Sequence, residues 1–161
     1  MKSEVNSLEY VNVYNFNDLK SIHSRKAYRL ACDIDCKNER ISKILENFVG
    51  TIDGNGYSIK NLIIEDNEII LNSQPVALFH TMNRSIVKNL KILNLKIEVP
   101  KSVYNPEIAA LCVKASDTLF ENVYVEAEAT YSGKLPFVYD SNNCEYVNVK
   151  VSNNMILAKF N

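Results

Sequence analysis

The chain has 161 residues, with 18 Lys and Arg against 19 Asp and Glu, and so lacks a charge excess of either sign. That absence argues against a general nucleic-acid binder and against a membrane-surface protein, since both need a broad field of one sign. No apolar run approaches the roughly 18 residues that a bilayer span requires. The opening stretch, MKSEVNSLEYVNVYNF, lacks both an apolar h-region and a small-residue cleavage site. No signal peptide is read there, so a cytoplasmic location is expected, with export by an unconventional route as the alternative.

Histidine is scarce. His23 and His80 stand far apart, and neither has a Ser or Cys partner placed to build a nucleophile. The four cysteines are Cys32, Cys36, Cys112 and Cys144. No second Cys or His pair at ligand spacing completes a metal site with Cys32 and Cys36, so structural thiols in a reducing compartment are expected, with no metal and no cofactor.

What the chain does have is repetition. A thirteen-residue block occurs four times without a gap: VGTIDGNGYSIKN (Val49–Asn61), ALFHTMNRSIVKN (Ala77–Asn89), ALCVKASDTLFEN (Ala110–Asn122) and PFVYDSNNCEYVN (Pro136–Asn148). Each copy continues into two alternating aliphatics: Leu62/Ile64, Leu90/Ile92, Val123/Val125 and Val149/Val151. The closing asparagines are 28, 33 and 26 residues apart, so length varies only between blocks, as when fixed structural units are joined by loops.

Apolar residues fall at positions eleven, fourteen and sixteen, counting on past the block's end. The step of two is strand alternation; the step of three across the asparagine demands a bend there. Asparagine suits that bend because it tolerates a left-handed backbone. Asn61, Asn89, Asn122 and Asn148 are therefore predicted to stand in single file as a structural amide ladder, not as catalytic groups. Position seven, with Asn55, Asn83, Ser116 and Asn142, marks a second turn. The apolar spacing does not fit helices, and the links are too short for helical crossovers, so parallel strands wound into a β-helix satisfy the pattern.

The segments Phe48–Leu62, preceded by Tyr28–Asp35, and Ala77–Ile97, with its "LF…I.NL.I.N..I" pattern, resemble GLUG-type right-handed parallel β-helices over residues 28–152. The resemblance implies an all-β, right-handed parallel β-helix of about five coils, a solenoid of pectate-lyase-like architecture. It also implies, as one functional reading, a glycan-binding or adhesive surface module. A single domain over 1–161 is expected, with an N-terminal cap at 1–27, coils at 28–152 and a C-terminal cap at 153–161. Asn17–His23 reads as a short N-capped amphipathic helix with Leu19 and Ile22 on the first coil. The apolar tail Met155–Phe160 reads as a cover for the last coil, or as a segment that pairs with another subunit.

Polysaccharide-cleaving β-helices need carboxylates on neighbouring coils. Position five reads Asp53, Thr81, Lys114, Asp140; position seventeen reads Glu65, Leu93, Glu126, Ser152; position eighteen opens with Asp66 and Asn94. None supplies adjacent acids, which disfavours a polysaccharide lyase or hydrolase, and no catalytic residue is assigned. Asp53-Gly54-Asn55-Gly56 lacks the remaining calcium ligands and reads as a tight turn.

Outward positions are more suggestive. Position twelve stacks Lys60, Lys88, Glu121 and Val147, and position fifteen stacks Ile63, Lys91, Tyr124 and Lys150. Two long links add Lys101, Tyr104 and Asn105, and Tyr131. A non-catalytic protein that binds a protein partner through Lys60, Lys88, Lys91, Tyr124 and these loop residues is the expected function. A small inhibitor of the phage anti-defence type is one such setting.

Overall fold

The computed structural model describes residues 9–65, 75–99, 107–130 and 134–155. Strand β1 (Tyr10–Val13) leads into helix α1 (Phe16–Lys20), followed by β2 (Lys26–Leu30) and β3 (Ile34–Ile41). Asn15 caps α1, its side-chain oxygen accepting the Asp18 N–H at 2.9 Å, while the Asp18 carboxylate accepts the Tyr14 N–H at 2.9 Å. The helix therefore starts earlier than the Asn17 cap read from the sequence, because Asn15 and Asp18 satisfy two N-terminal amide groups reciprocally. Leu19 and Ile22 are buried. Within the expected N-terminal cap, β1 pairs with β2, so part of that region is sheet.

Next come β4 (Leu45–Phe48), β5 (Gly50–Asp53) and β6 (Ser58–Glu65), then β7 (Pro75–Val76), β8 (Phe79–Asn83) and β9 (Ile86–Glu98). They are followed by β10 (Glu107–Ile108), β11 (Cys112–Ser116), β12 (Leu119–Ala129), β13 (Val138–Asn142) and β14 (Glu145–Met155). Every described pairing is parallel. One sheet runs β1-β2-β5-β9-β12-β14, with β6 also on β9 and β3 on β6; a second runs β4-β8-β11-β13; a third joins β7 to β10.

The last three blocks lie directly on one another. Phe79, Cys112 and Val138 are in register, as are Val87, Phe120 and Tyr146, and Leu90, Val123 and Val149. All of these except the exposed Tyr146 belong to one core with Phe48, Leu62, Ile64 and Ile97. Asn61, Asn89, Asn122 and Asn148 all have left-handed backbones, φ 61°, 55°, 55° and 55°.

The first block departs from the alignment. Thr51 lies beside Ile86 and Ile59 beside Ile92, whereas the alignment predicts Phe79 and Val87; Phe79 takes Leu45 instead. The cause is that strand β4, which lies ahead of the first block, takes the place beside β8. Asp53 and Ser58, five residues apart, pair with Lys88 and Lys91, only three apart. A tight turn absorbs the two surplus residues. Asn55 and Gly56 are both left-handed, φ 55° and 83°, and the Tyr57 N–H donates to the Gly54 carbonyl at 2.8 Å. Asn55 is thus displaced from the file of Asn83, Ser116 and Asn142, which do stand in register. At the other end β14 continues to Met155, so residues 153–155 are strand and not cap. The rest of the expected C-terminal cap, 156–161, lies outside the described residues.

Candidate functional site

Two amide files run along the stack. In the first, Asn148 donates to Asn122 at 2.9 Å, Asn122 to Asn89 at 3.3 Å, and Asn89 to the Asp53 carboxylate at 3.4 Å. In the second, Asn94 donates to Asn61 at 2.7 Å and Asn61 to Asp35 at 2.9 Å. Asn61 therefore does not share a file with Asn89, Asn122 and Asn148: the displaced register sets it beside Asn94. The hydrogen bond from Asn61, followed by one from the Lys37 backbone, holds the Asp35 carboxyl below its ordinary range.

The same shift rearranges the outward columns. Lys91, Tyr124 and Lys150 stand in register with Ser58, not Ile63, which is buried. Lys60 lies beside Leu93 and not beneath Lys88; the place next to Lys88 belongs to Asp53. Lys88 sits across the Asn89 bend from Lys91, so the two lysines occupy adjoining faces. Lys101, Tyr104, Asn105 and Tyr131 lie outside the described residues.

The displaced register also creates a neighbouring acid pair. Glu65 pairs with Glu98 on the next strand, although the block alignment puts no acid beside Glu65. Arg40 reaches both carboxylates, Glu65 at 3.0 Å and Glu98 in a short ion pair. A guanidinium between two carboxylates bridges them and offsets one of their two charges.

A groove crosses the face of β1, β2, β5, β9, β12 and β14. Its floor is the register Tyr10–Ala27–Thr51–Ile86–Leu119–Glu145. Two adjoining hollows of about 550 and 640 Å³ meet where Thr51 neighbours Ile86. Ile86 is 37% exposed, unusual for an isoleucine in a sheet. One wall is a line of bends at Arg25, Arg84, Asp117 and Asn143, with φ of 69°, 48°, 51° and 57°. Behind the last three bends, Ser85, Thr118 and Cys144 each donate to the carbonyl two residues earlier, fixing the turn. Gly50 brings the floor close to β2: with φ 159°, a Cβ there would lie 2.2 Å from the Lys26 carbonyl oxygen.

Two residues further along the strands runs the register Arg29–Asp53–Lys88–Glu121. Arg29 approaches Asp53 at 3.7 Å and stacks over the Tyr10 ring at 3.8 Å, so that ion pair is internally matched. Both signs of charge are present along the groove: Glu9, Arg25 and Lys26 line the first hollow, Arg84, Asp117 and Glu145 line the second, and Lys88 stands between Asp53 and Glu121 on the neighbouring strands. The position-twelve column anticipates Lys88 and Glu121. The floor was missed because β4, which lies outside the block, takes the place beside β8 and leaves Thr51 next to Ile86.

Elsewhere, an enclosed cavity of about 20 Å³ is lined by core side chains such as Leu30, Ile52 and Leu90, which leaves no room for a ligand. Burial pushes the Cys36 and Cys112 thiols up to about 12. Among the described residues no three His, Cys, Asp or Glu side chains gather as a metal-binding group, and no helix is long and apolar enough to cross a membrane. No protein-family model, curated protein or solved structure matches the chain.

Proposed function

We propose that the chain is wound as a right-handed parallel β-helix of the GLUG type and works as a non-catalytic binding protein whose groove receives a segment of a protein partner. The groove's composition carries this reading: the exposed Ile86 and the half-buried Leu119 lie beside Arg25, Lys26, Arg84 and Asp117, an apolar strip next to charges of both signs. A rigid sheet face presents such a strip already ordered, so little conformational entropy opposes association. The partner segment is amphipathic, with acidic residues over Arg25, Lys26, Arg84 and Lys88 and basic residues over Asp117 and Glu121. A cytoplasmic inhibitor that covers a partner's working surface is the setting this reading favours.

Capture from lysate of cells that carry the gene, followed by mass spectrometry, tests it. A protein retained by the wild-type chain is expected to be lost with Ile86→Asp and weakened about tenfold with the pair Arg84→Glu and Lys88→Glu. Retention unchanged by all three substitutions overturns the groove as the site. A glycan array run in parallel tests the adhesive alternative: binding there, abolished by Tyr124→Ala and not by Ile86→Asp, favours a sugar-binding module centred on Lys91, Tyr124 and Lys150.

A further inference from the structure

The two ends of the stack are finished differently. At the N-terminal end α1 and the turn after it set Leu19 and Ile22 against the core, at 2% and 3% exposure, and the edge strand β1 is only four residues long. At the opposite end β14 runs eleven residues, bonded on one side to β12 and, among the described residues, to nothing on the other. Tyr146 and Val147 on that edge are 43% and 47% exposed. Val149 and Val151 are only half-buried, whereas Val123 and Val125, their neighbours one strand inward, are 1% and 0% exposed. A long edge strand with apolar side chains is a template for pairing with another strand.

We propose that this end joins two copies of the chain head to head about a two-fold axis, β14 of each pairing antiparallel with β14 of the other. Across a two-fold interface residue i faces residue j while j faces i, so the edge must complement itself. Glu145–Ser152 meets that demand in one register. Tyr146, Val149 and Val151 point inward, as their register neighbours Phe120, Val123 and Val125 do, while Glu145, Val147 and Lys150 point outward. The left-handed Asn148 forms the bend between the two arms.

Pairing Tyr146 with Val149 of the second copy keeps inward residues on the inward side, since strand pairing preserves faces. The same register brings Cys144 opposite Val151 and Glu145 opposite Lys150 of the second copy, each contact made twice by symmetry. Val147 and Asn148 then straddle the axis. Neither Glu145 nor Lys150 has an ion-pair partner among the described residues, and both are exposed, so each is free to meet its opposite. Charge complementarity in the register that also matches the apolar faces is the observation that selects a second copy as the occupant.

Sedimentation velocity on the full chain at micromolar concentrations tests the proposal. A dimer is expected. Glu145→Lys and Lys150→Glu each place like charges together twice and should weaken association at least about tenfold. The double variant, with the charges exchanged, should recover the wild-type constant to within about threefold. Both substitutions fall on exposed side chains, so folding of the three variants, followed by circular dichroism, is expected to be unaffected. A monomeric wild-type chain overturns the proposal. So does a chain ending at Met155 that associates when the full chain does not, since residues 156–161 would then cover the edge themselves. A dimer that the exchanged variant fails to restore also overturns it. The readout is self-association and not partner capture, so failure here leaves the groove reading standing.

Discussion

Asn122 donates its side-chain amide to the Asn89 oxygen at 3.3 Å, while its own oxygen accepts from Asn148 at 2.9 Å. One side chain therefore ties three successive strands, at a residue whose backbone is left-handed, φ 55°. The two contributions are separable by substitution. Asn122→Gly keeps the left-handed backbone at little steric cost and removes only the ladder, which is exposed to solvent; a loss of about 1–2 kcal/mol is expected. Asn122→Ala removes the ladder and adds the strain of an alanine at positive φ, for about 1–2 kcal/mol more. Urea unfolding of the two variants checks this. Equal losses would mean that the bend itself stores no penalty.

The amide ladder shows how much of this molecule its sequence reveals, and where reading stops. The asparagines at 89, 122 and 148 were legible because each closes a block of fixed length, and the strands of those blocks do lie in register. Asn61 closes an identical-looking block, yet it pairs with Asn94 and Asp35. Strand β4, which lies ahead of the first block, takes the place beside β8, so the whole first block pairs several positions away from its alignment, and the excess at Asn55–Gly56 changes that offset by only two. Block alignment does not reveal that, because it compares copies with one another and not with their neighbours in space. The groove escaped notice for the same reason: Thr51 and Ile86 come from non-equivalent positions of two blocks and meet only in the folded sheet.

That shift makes Gly54 a tight point. A Cβ there would lie 2.3 Å from the Asn89 carbonyl oxygen and 2.6 Å from the Leu90 Cα. Both are backbone atoms of the next strand, which cannot yield without breaking the β5–β9 pairing. Gly54→Ala is expected to destabilise by about 1–3 kcal/mol. Gly56→Ala is the control. Its Cβ would meet nothing within 4 Å, so only the strain of φ 83° applies, about 1 kcal/mol. Thermal unfolding that ranks Gly56→Ala as the more damaging change would contradict the packing described at Asn89.

Cys36 and Cys112 are buried, with their thiols pushed up to about 12 chiefly by burial, whereas Cys32 and Cys144 are half-buried. The thiolate is the reacting species, so the two buried sulfurs present almost none of it near neutrality. Titration of the native chain with an aromatic disulfide reagent at pH 8 is expected to modify Cys32 and Cys144 and to spare Cys36 and Cys112 until denaturant is added. Peptide mapping assigns the sites. Rapid modification of Cys112 in the native state would mean that the β8–β11–β13 sheet opens far more readily than its packing implies.

Asp35 gives the chain an acid-sensitive joint. Hydrogen bonds from Asn61 and from the Lys37 backbone lower its folded pKa below the ordinary 3.8. A carboxyl with a depressed folded pKa contributes stability that is complete above its unfolded pKa and is lost as pH falls through the folded one. The contribution is therefore whole at neutral pH, starts to fall near the ordinary value and is gone once the folded carboxyl is protonated. Asp35→Asn removes the titration while keeping a polar side chain beside Asn61. Stability measured by denaturant unfolding between pH 6 and pH 2 is expected to fall less steeply for this variant than for wild type below about pH 4. Parallel curves over that whole range would mean that the Asn61 amide does not hold the carboxylate in solution, and the lower end of the second amide file would then be loose.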